Sequence, residues 1–287
     1  MPNTRELRRR IRSVRNISKV TKAMQLIAAS KMRRAQQAAL EGRAYAEKIE
    51  DILADLVRGL DTENLPPEAA LLEERPAKKT LMVLIAPDRG LCGGLVSNII
   101  RAAGQTIRES TVPVATVSIG RKGETFIVRT GGELKAAFRI TDRPSFGETT
   151  PITRLVVDEF RKQGADRVLI AYSVFVNTAV QKPVVRQLLP VKAEEIQDIT
   201  PVDYIYEPGA GPVLARLVPR YIETEVYHAV LEAVASEQSA RMVAMQKATD
   251  AADELVVDLT LDLNRARQEQ ITSELLDIIG GVNAVQA

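Results

Sequence analysis

The sequence predicts an α/β protein that combines an antiparallel coiled coil of its two terminal helices with a domain built on a mostly parallel sheet. Two observations predict this fold class. Residues 4–58 contain no proline and one glycine, Gly42, and residues 220–279 contain neither residue type. Between them, apolar runs of strand length alternate with helical stretches, as in proteins with helices on both faces of a parallel sheet. We therefore place a long N-terminal helix in residues 1–60, an α/β domain in residues 61–212 and a long C-terminal helix in residues 213–287.

The two terminal helices carry the narrow apolar stripes of a coiled coil. At about 1.5 Å per residue each is roughly 80–90 Å long, and a helix of that length needs a partner to cover its stripe. Apolar residues recur at steps of three and four, which is the spacing of a coiled-coil seam. The predicted seam comprises Ile17, Val20, Met24 and Ile27 in the first helix and Met245, Ala248, Ala252, Leu255, Leu259, Ile271, Leu275, Ile278 and Val282 in the second. A helical bundle within one globular domain is the alternative, but the remaining faces are too polar to be buried.

The two helices have opposite charge. Residues 1–40 contain eleven basic residues and one acid, Glu6, whereas residues 220–287 contain twelve acids and five bases, although the whole chain carries only +2. The basic helix therefore fits an acidic protein partner or a nucleic acid. Aromatic residues are 4% of the chain and tryptophan is absent, which disfavours a nucleic-acid binder that stacks bases. The Arg-rich start has the composition of a transit peptide, but the helical pattern continues unbroken past Met32.

Strands and helices alternate through the middle of the chain. The continuous apolar run Thr80–Ala86 predicts a strand buried on both faces. The further predicted strands are Val112–Ile119, Leu134–Ile140, Arg167–Val176 and Val180–Leu189, the last two as a hairpin, and the predicted helices are Leu95–Arg108, Glu124–Arg129 and Pro151–Gln163. This order predicts a Rossmann-like domain. The proline- and glycine-rich stretch Lys192–Pro212 then predicts the return linker.

A glycine-rich loop follows the first strand and invites a nucleotide-binding interpretation. Backbone amides at such a turn can hold phosphate, but the spacing matches neither GxGxxG nor GxxxxGK[ST]. We favour a structural loop, in which the glycines make a tight turn and allow a close approach of strand and helix. Its residues are Asp88, Arg89, Gly90, Leu91, Cys92, Gly93 and Gly94.

The sequence offers few groups for catalysis or metal binding. Cys92 and His228 are the only cysteine and histidine, so a nucleophilic cysteine has no histidine within sequence reach. The acidic C-terminal helix lacks the Glu-x-x-His pairs of a di-metal bundle. We therefore expect no catalytic residue, no cofactor and no metal. A lone cysteine fits the reducing cytosol, and no apolar run reaches the length of a membrane span.

Four segments resemble one family in the same order along the chain. They are Arg8–Asn16 with Lys19–Gln36, Asp88–Gly94, Ser236–Met245 with Ala248–Asp250, and Ile271–Glu274 with Asp277 and Gly281. Together they resemble the gamma subunit of F-type ATP synthase. One position departs from that family, which usually has alanine where this chain has Val282.

The resemblance implies a non-catalytic central-stalk rotor subunit that couples proton-driven rotation of the membrane c-ring to ATP synthesis at the beta subunits. Its implied partners are three alpha and three beta subunits around the coiled coil, the epsilon subunit, and the c-ring, through which it associates peripherally with the membrane. By the same resemblance, Thr21, Lys22, Ala23 and Met24 lie near a moving acidic loop of beta, and Arg267, Gln268, Thr272 and Glu274 contact the ring higher on the shaft.

The family has variants. Its chloroplast members carry a pair of cysteines as a redox switch, which a chain with Cys92 alone does not have. We expect a bacterial complex on the cytoplasmic face of the plasma membrane. Two other hypotheses come from different classes: a coiled-coil arm that binds nucleic acid, which predicts steeply salt-dependent RNA binding, and a small-molecule enzyme that uses the loop at Asp88–Gly94, which predicts nucleotide affinity.

Overall fold

A computed structural model describes residues 4–58, 70–191, 206–207 and 209–286. The chain divides into two compact units. One, the helical unit, comprises Met1–Ala28 and Met242–Ala287; the other, the sheet unit, comprises Ala29–Arg241. The helices α1 (Thr4–Arg58) and α5 (Ala210–Gln286) contribute to both. The predicted domain boundaries at residues 60 and 212 stay predictions.

The sheet unit is built on five strands in the order β3-β2-β1-β4-β5. The strands are β1 (Thr80–Ile85), β2 (Val114–Ile119), β3 (Glu133–Phe138), β4 (Arg167–Phe175) and β5 (Gln181–Leu189). The first four are parallel, and β5 pairs antiparallel with β4. The predicted mostly parallel sheet is therefore confirmed, and the predicted hairpin is its antiparallel edge.

Side chains of β1 alternate between two apolar cores. Leu81, Val83 and Ile85 lie in one core, and Met82 and Leu84 lie in the other. The helix α2 (Leu95–Glu109) and the helix α3 (Arg121–Arg129) cover the second core, to which they contribute Ile99, Ala103 and Ile127. The helix α4 (Phe146–Arg161) and the parts of α1 and α5 in this unit cover the first, with Ile152, Phe160, Leu53, Leu56, Leu214, Val218 and Ile222. Every residue of β1 is buried, as expected for a strand with helices on both faces.

Two helices begin earlier than predicted, α4 before Pro151 and α5 before residue 213. The helix α4 begins at Phe146, not at Pro151, because Ser145 and Glu148 form a capping box in which the Ser145 N–H donates to Glu148 Oε1 at 3.3 Å. The helix α5 begins at Ala210 and contains Pro219. Leu214 and Val218, which precede this proline, are completely buried in the first core, and that packing offsets the hydrogen bond that Pro219 removes. Residues 210–212 of the predicted linker therefore belong to α5, and residues 192–205 lie outside the described part of the chain.

In the helical unit, α1 and α5 run antiparallel. The Ser18 hydroxyl donates to Asp253 Oδ1 at 2.8 Å, and the hydroxyls of Thr21 and Thr249 lie 2.7 Å apart. Residue numbers thus rise on one helix while they fall on the other. This arrangement confirms the predicted antiparallel pairing.

The seam between these helices matches the prediction in part. Met24 of α1 and Met245, Ala248, Ala252 and Leu259 of α5 are buried or half-buried as predicted. Ile17, Val20 and Ile27 of α1 are exposed, as is Leu255 of α5. Buried or half-buried side chains instead recur, at steps of three and four, at Leu7, Ile11, Val14, Ser18, Thr21, Gln25 and Ala28 of α1 and at Met245, Thr249, Ala252, Val256, Leu259, Leu263 and Ala266 of α5. The buried face of α1 carries Leu7, Ile11 and Val14 near the start of the helix and small or polar residues further along, and the hydroxyls of Ser18 and Thr21 hydrogen-bond to α5.

Candidate functional site

The end of α5 extends beyond the part that α1 can cover. The pairs Ser18–Asp253 and Thr21–Thr249 define the register of the two antiparallel helices. In this register Thr4, where α1 begins, lies level with residue 266 or 267 of α5. From Arg267 to Ile279 every side chain is exposed. Among them are the large apolar side chains of Ile271, Leu275, Leu276, Ile278 and Ile279, each more than half exposed. This segment, the α5 end (residues 267–279), presents an apolar surface that nothing in the described chain covers.

Four of the predicted site residues lie in the α5 end, and their side chains are available to a partner. Arg267, Gln268, Thr272 and Glu274 are all exposed. The Thr272 hydroxyl donates to the Gln268 carbonyl oxygen at 2.9 Å, and Glu274 Oε1 accepts a bond from Gln270 Nε2 at 2.9 Å. Both contacts stay within the helix. The side chain of the predicted seam residue Val282 lies outside the described part.

The other predicted group, Thr21–Met24, straddles the seam. Thr21 faces Thr249 and is half-buried, Met24 is half-buried, and Lys22 and Ala23 are exposed. Lys22 makes no hydrogen bond or ion pair with a described residue, so its charge is directed outward. The side chains of Ile17, Val20, Leu26 and Ile27 are also more than half exposed on this stretch of α1.

The two predicted groups do not meet. Thr21 lies beside Thr249, and Arg267 is eighteen residues further along α5. At about 1.5 Å per residue the separation along the helix is about 27 Å. A partner that contacts both groups must therefore follow the helical unit along its axis, or several partners must share it.

In the sheet unit, the loop Asp88–Gly94 is held by its own side chains. Asp88 Oδ1 accepts a hydrogen bond from the Arg121 backbone N–H at 2.7 Å and lies 3.8 Å from Arg139 Nε. Gly93 adopts a φ of 58°, a conformation that glycine tolerates best. A Cβ at Gly90 or Gly93 would meet nothing within 4 Å. The expected tight turn is present at Gly93. The expected close approach of strand and helix does not occur at Gly90 or Gly93.

Two residues that the sequence analysis missed hold this loop against α5. Arg241 donates to the Gly90 carbonyl oxygen at 3.3 Å and pairs with Glu237 at 2.7 Å. Both side chains are mostly buried, and burial raises the pKa of Glu237 while the charge of Arg241 opposes that rise. The sequence signal is a Glu and an Arg four residues apart in Ser236–Met245, the spacing of neighbours on one helix face.

Cys92 lies beneath the same loop and is shielded from solvent. It is 1% exposed, and its thiol points to the Arg89 carbonyl oxygen at 3.9 Å. Burial raises the pKa of the Cys92 thiol, which keeps it protonated and unreactive because the thiolate is the nucleophile. Cys92 therefore packs as a small apolar residue.

Gly120 and Gly42 are two positions at which a side chain would collide with a neighbouring group. A Cβ at Gly120, which has a φ of 93°, would lie 1.8 Å from the Ala86 carbonyl oxygen. A Cβ at Gly42, the single glycine of α1, would lie 3.0 Å from His228 Nε2. Gly42 is thus the point where α1 passes next to His228 of α5, so both residues serve helix packing.

The described residues lack two other kinds of feature. No group of three or more His, Cys, Asp or Glu side chains is placed to hold a metal ion. None of the described helices combines the length and apolar character that crossing a membrane requires.

These features are typical of a class of protein, the subunits of larger assemblies: a long helix ends in an apolar segment that the described residues leave exposed, and such surfaces mark interaction sites. A family model described as ATP synthase matches residues 3–285. Relatives named ATP synthase gamma chain include one from Dehalococcoides mccartyi, 53% identical over 99% of this chain and the whole of that one, and one from Chloroflexus aurantiacus, 44% identical over 99% of each chain. The chain belongs to the ATP synthase gamma chain family.

Solved structures agree with this assignment. The central stalk and c-ring structure of the Tetrahymena thermophila mitochondrial ATP synthase contains a chain with a TM-score of 0.61 and 26% identity, which covers 80% of this chain and 99% of that one. A chain of the Euglena gracilis mitochondrial ATP synthase has a TM-score of 0.68 at 21% identity and covers 98% of this chain and 94% of that one. The second likeness shows the fold alone.

Proposed function

We propose that the chain is the central-stalk rotor subunit of a proton-driven F-type ATP synthase, and that it contributes no catalytic group. Its helical unit turns inside a ring of three alpha and three beta subunits. Its sheet unit binds the epsilon subunit and the c-ring, which together give it a peripheral place at the cytoplasmic face of a bacterial plasma membrane. Rotation of the c-ring turns the helical unit, whose asymmetry changes the conformations of the beta subunits in sequence.

The single observation that carries this proposal is the α5 end. Thirteen consecutive residues of a helix are exposed, and five of them are large and apolar. An isolated helix of this length is marginal in water, and burial of each such side chain contributes about 1.5–3 kcal/mol. A surrounding sleeve of other subunits supplies that burial, whereas a freely soluble chain does not.

The charge and packing of α1 suit a rotor. Lys22 has no partner among the described residues, and it lies on a helix rich in Arg and Lys. An outward positive charge attracts an acidic loop of beta over several ångströms without fixing one geometry. Thr21–Met24 therefore contact that loop at one rotation angle, and Arg267, Gln268, Thr272 and Glu274 contact the ring nearer the end of α5.

Assembly with the alpha and beta subunits of the same source tests the proposal. The subunits are co-expressed with this chain, and native mass spectrometry and ATP hydrolysis are measured. We expect a complex of three alpha, three beta and one copy of this chain, with higher hydrolysis than the alpha–beta ring alone. A soluble chain that does not associate with alpha and beta would refute the rotor assignment.

A matched pair of variants tests the α5 end itself. The double variant Leu275→Asp/Ile278→Asp places two charges where the sleeve buries apolar side chains, so we expect loss of assembly or a large loss of ATP hydrolysis. The control is Val128→Asp, since Val128 is an equally exposed apolar residue of α3 in the sheet unit. Normal assembly of the double variant would show that the α5 end is not the buried surface.

Removal of the residues from Gly280 onward, about two helical turns, should have a milder effect. Residues 267–279 remain in that variant, so we expect complexes of normal composition with a modest loss of coupling between proton flow and ATP synthesis in membrane vesicles. Complete failure to assemble would contradict this expectation.

A further inference from the structure

The hydroxyls of Thr21 and Thr249 join the two helices of the helical unit, and their oxygens lie 2.7 Å apart. Each hydroxyl also has an acceptor in its own helix. Thr21 Oγ1 lies 3.0 Å from the Ser18 carbonyl oxygen, and Thr249 Oγ1 lies 2.9 Å from the Met245 carbonyl oxygen. Threonine in a helix commonly donates to a carbonyl one turn earlier. The hydrogen of each hydroxyl can therefore go either to its own helix or to the other helix.

The number of hydrogen bonds that these two hydroxyls donate does not depend on whether the helices touch. A hydroxyl has one hydrogen to donate, so the pair makes two bonds in the closed seam: one crosses to the other hydroxyl, and one goes to a carbonyl of the same helix. When the helices part, both hydrogens go to the Ser18 and Met245 carbonyl oxygens. No donor is left without an acceptor, so the usual cost of breaking a buried hydrogen bond is absent.

One turn further along α1, the closed seam leaves a polar atom without a partner. Gln25 Oε1 is buried and makes no hydrogen bond with a described residue. A buried acceptor without a donor is costly, and separation of the helices gives it water as a donor. Opening of the seam therefore loses no hydrogen bond at Thr21 and gains one at Gln25.

The apolar packing of the seam is also weaker at this level than towards the start of α1. There the register of the two hydrogen-bonded pairs sets six buried or half-buried apolar side chains against one another: Leu7, Ile11 and Val14 of α1 with Leu263, Leu259 and Val256 of α5. The next three seam positions of α1, Ser18, Thr21 and Gln25, are polar. In the same register Met245 is the large apolar residue opposite Gln25. Because this section buries less apolar surface, the seam opens here at a lower cost.

We propose that this section, residues 18–25 of α1 with residues 245–253 of α5, is a built-in opening point of the helical unit. The two helices part there, while the apolar section nearer the start of α1 keeps them paired. The hydroxyls of Thr21 and Thr249 bridge the helices when they meet and return to their own helices when they part. The device confines bending of the helical unit to one level, that of the exposed Lys22. It is a property of this chain alone and does not depend on the proposed rotor function.

Distance measurements by pulsed electron paramagnetic resonance on the full chain test the opening. Spin labels at Lys22 and Asp250, which are both exposed, span the opening point. The control labels, at the exposed Arg12 and Asp258, span the apolar section. Cys92 is replaced by alanine in both chains. We expect a second, longer distance for the first pair and a single distance for the control pair. A single distance for both pairs, or a longer component in both, would overturn the proposal.

Substitution of Gln25 tests the unpaired acceptor. Gln25→Met keeps the length of the side chain but removes the buried oxygen, so we expect the longer distance of the Lys22–Asp250 pair to be lost and the melting temperature to rise. Gln268→Met is the control, because Gln268 is exposed on α5 and should leave both quantities unchanged. A longer distance that persists in Gln25→Met, or an equal rise of the melting temperature in the control, would overturn the assignment.

Substitution of Thr21 tests the exchange of the hydroxyl hydrogens. Thr21→Val removes the bond between the helices but leaves the Thr249 hydroxyl its acceptor on Met245, so we expect a melting temperature equal to or above that of Thr272→Val. Thr272 is the matched control because it is exposed and its hydroxyl also donates to a carbonyl one turn earlier, that of Gln268 at 2.9 Å. A melting temperature of Thr21→Val that is lower than the control's by about 2 °C or more, the shift for one lost hydrogen bond, would show that this bond holds the seam closed and would overturn the proposal.

Discussion

Substitution of Gly120 by alanine tests how tightly the first two strands of the sheet unit join. Gly120 follows β2 with φ 93° and ψ 151°, a region of backbone conformation that is populated almost only by glycine. Its N–H donates to the Phe138 carbonyl oxygen at 3.0 Å, and the Ala86 N–H donates to the Ile119 carbonyl oxygen at 2.9 Å. Both sides of the contact are therefore fixed by the sheet.

Two costs add up in this variant. The conformation alone costs an alanine about 1–3 kcal/mol. The new Cβ would also lie 1.8 Å from the Ala86 carbonyl oxygen and 2.9 Å from its carbon, so the backbone must move by about 1.6 Å to reach a normal contact. That movement breaks sheet hydrogen bonds next to a buried strand. We expect a total destabilisation of at least about 4 kcal/mol, which is exceptional for one substitution.

Gly131→Ala is the matched control. Gly131 has a φ of 71°, but a Cβ there would meet nothing within 4 Å, so this variant carries only the conformational cost of about 1–2 kcal/mol. Urea unfolding with a shared slope gives the two free energies. If they differ by less than about 1 kcal/mol, the steric argument is wrong.

Three further predictions concern other parts of the molecule. Ala28 is 1% exposed in the seam of the helical unit, so Ala28→Leu overfills the seam and should lower the free energy of unfolding by about 1–3 kcal/mol. Ala23→Leu, on the exposed face, should change it little. Thermal unfolding followed by circular dichroism measures both variants, and equal effects would contradict the observed seam. Arg241→Ala leaves the mostly buried Glu237 without its partner and should lower the free energy of unfolding by about 3 kcal/mol. The double variant Glu237→Gln/Arg241→Ala should lower it less. Urea unfolding measures both, and a double variant that is no more stable than the single one would refute this reasoning. Burial raises the pKa of Glu232, and Arg186 and Tyr172 oppose that rise. The protonated Glu232 therefore stabilises the fold fully below its unfolded-state pKa of about 4.3. That contribution is lost as the pH rises through the folded-state pKa. Glu232→Gln should therefore raise the melting temperature more at pH 8 than at pH 4.5, and a difference that does not vary with pH would contradict the assigned shift.

The sheet could be predicted because its signal is local and redundant. The run Thr80–Ala86 is apolar at almost every position, as a strand covered on both faces must be, and β1 was placed to within one residue. The start of α4 was misplaced for the opposite reason. Pro151 is a strong local signal for a boundary, but the capping box at Ser145 outweighs it.

The candidate site was predicted in part. The pairing of the two terminal helices followed from their length, but the buried face of α1 did not, because Ser18, Thr21 and Gln25 are polar residues at seam positions while the larger apolar residues Ile17 and Val20 face outward. Hydrophobicity alone selects the wrong face of such a helix. The roles of Thr21–Met24 and of Arg267–Glu274 stay predictions, since they depend on subunits that this chain does not contain.

The pairing of Thr21 with Thr249 has a consequence for the chain during its synthesis. These residues are 228 positions apart, and a ribosome adds about 5–20 residues per second. After Thr21 is synthesised, roughly 10–50 s pass before Thr249 exists. During that interval the start of α1 emerges without its partner helix, and the positive charge of its arginines and lysines opposes association with other nascent chains until Thr249 is synthesised.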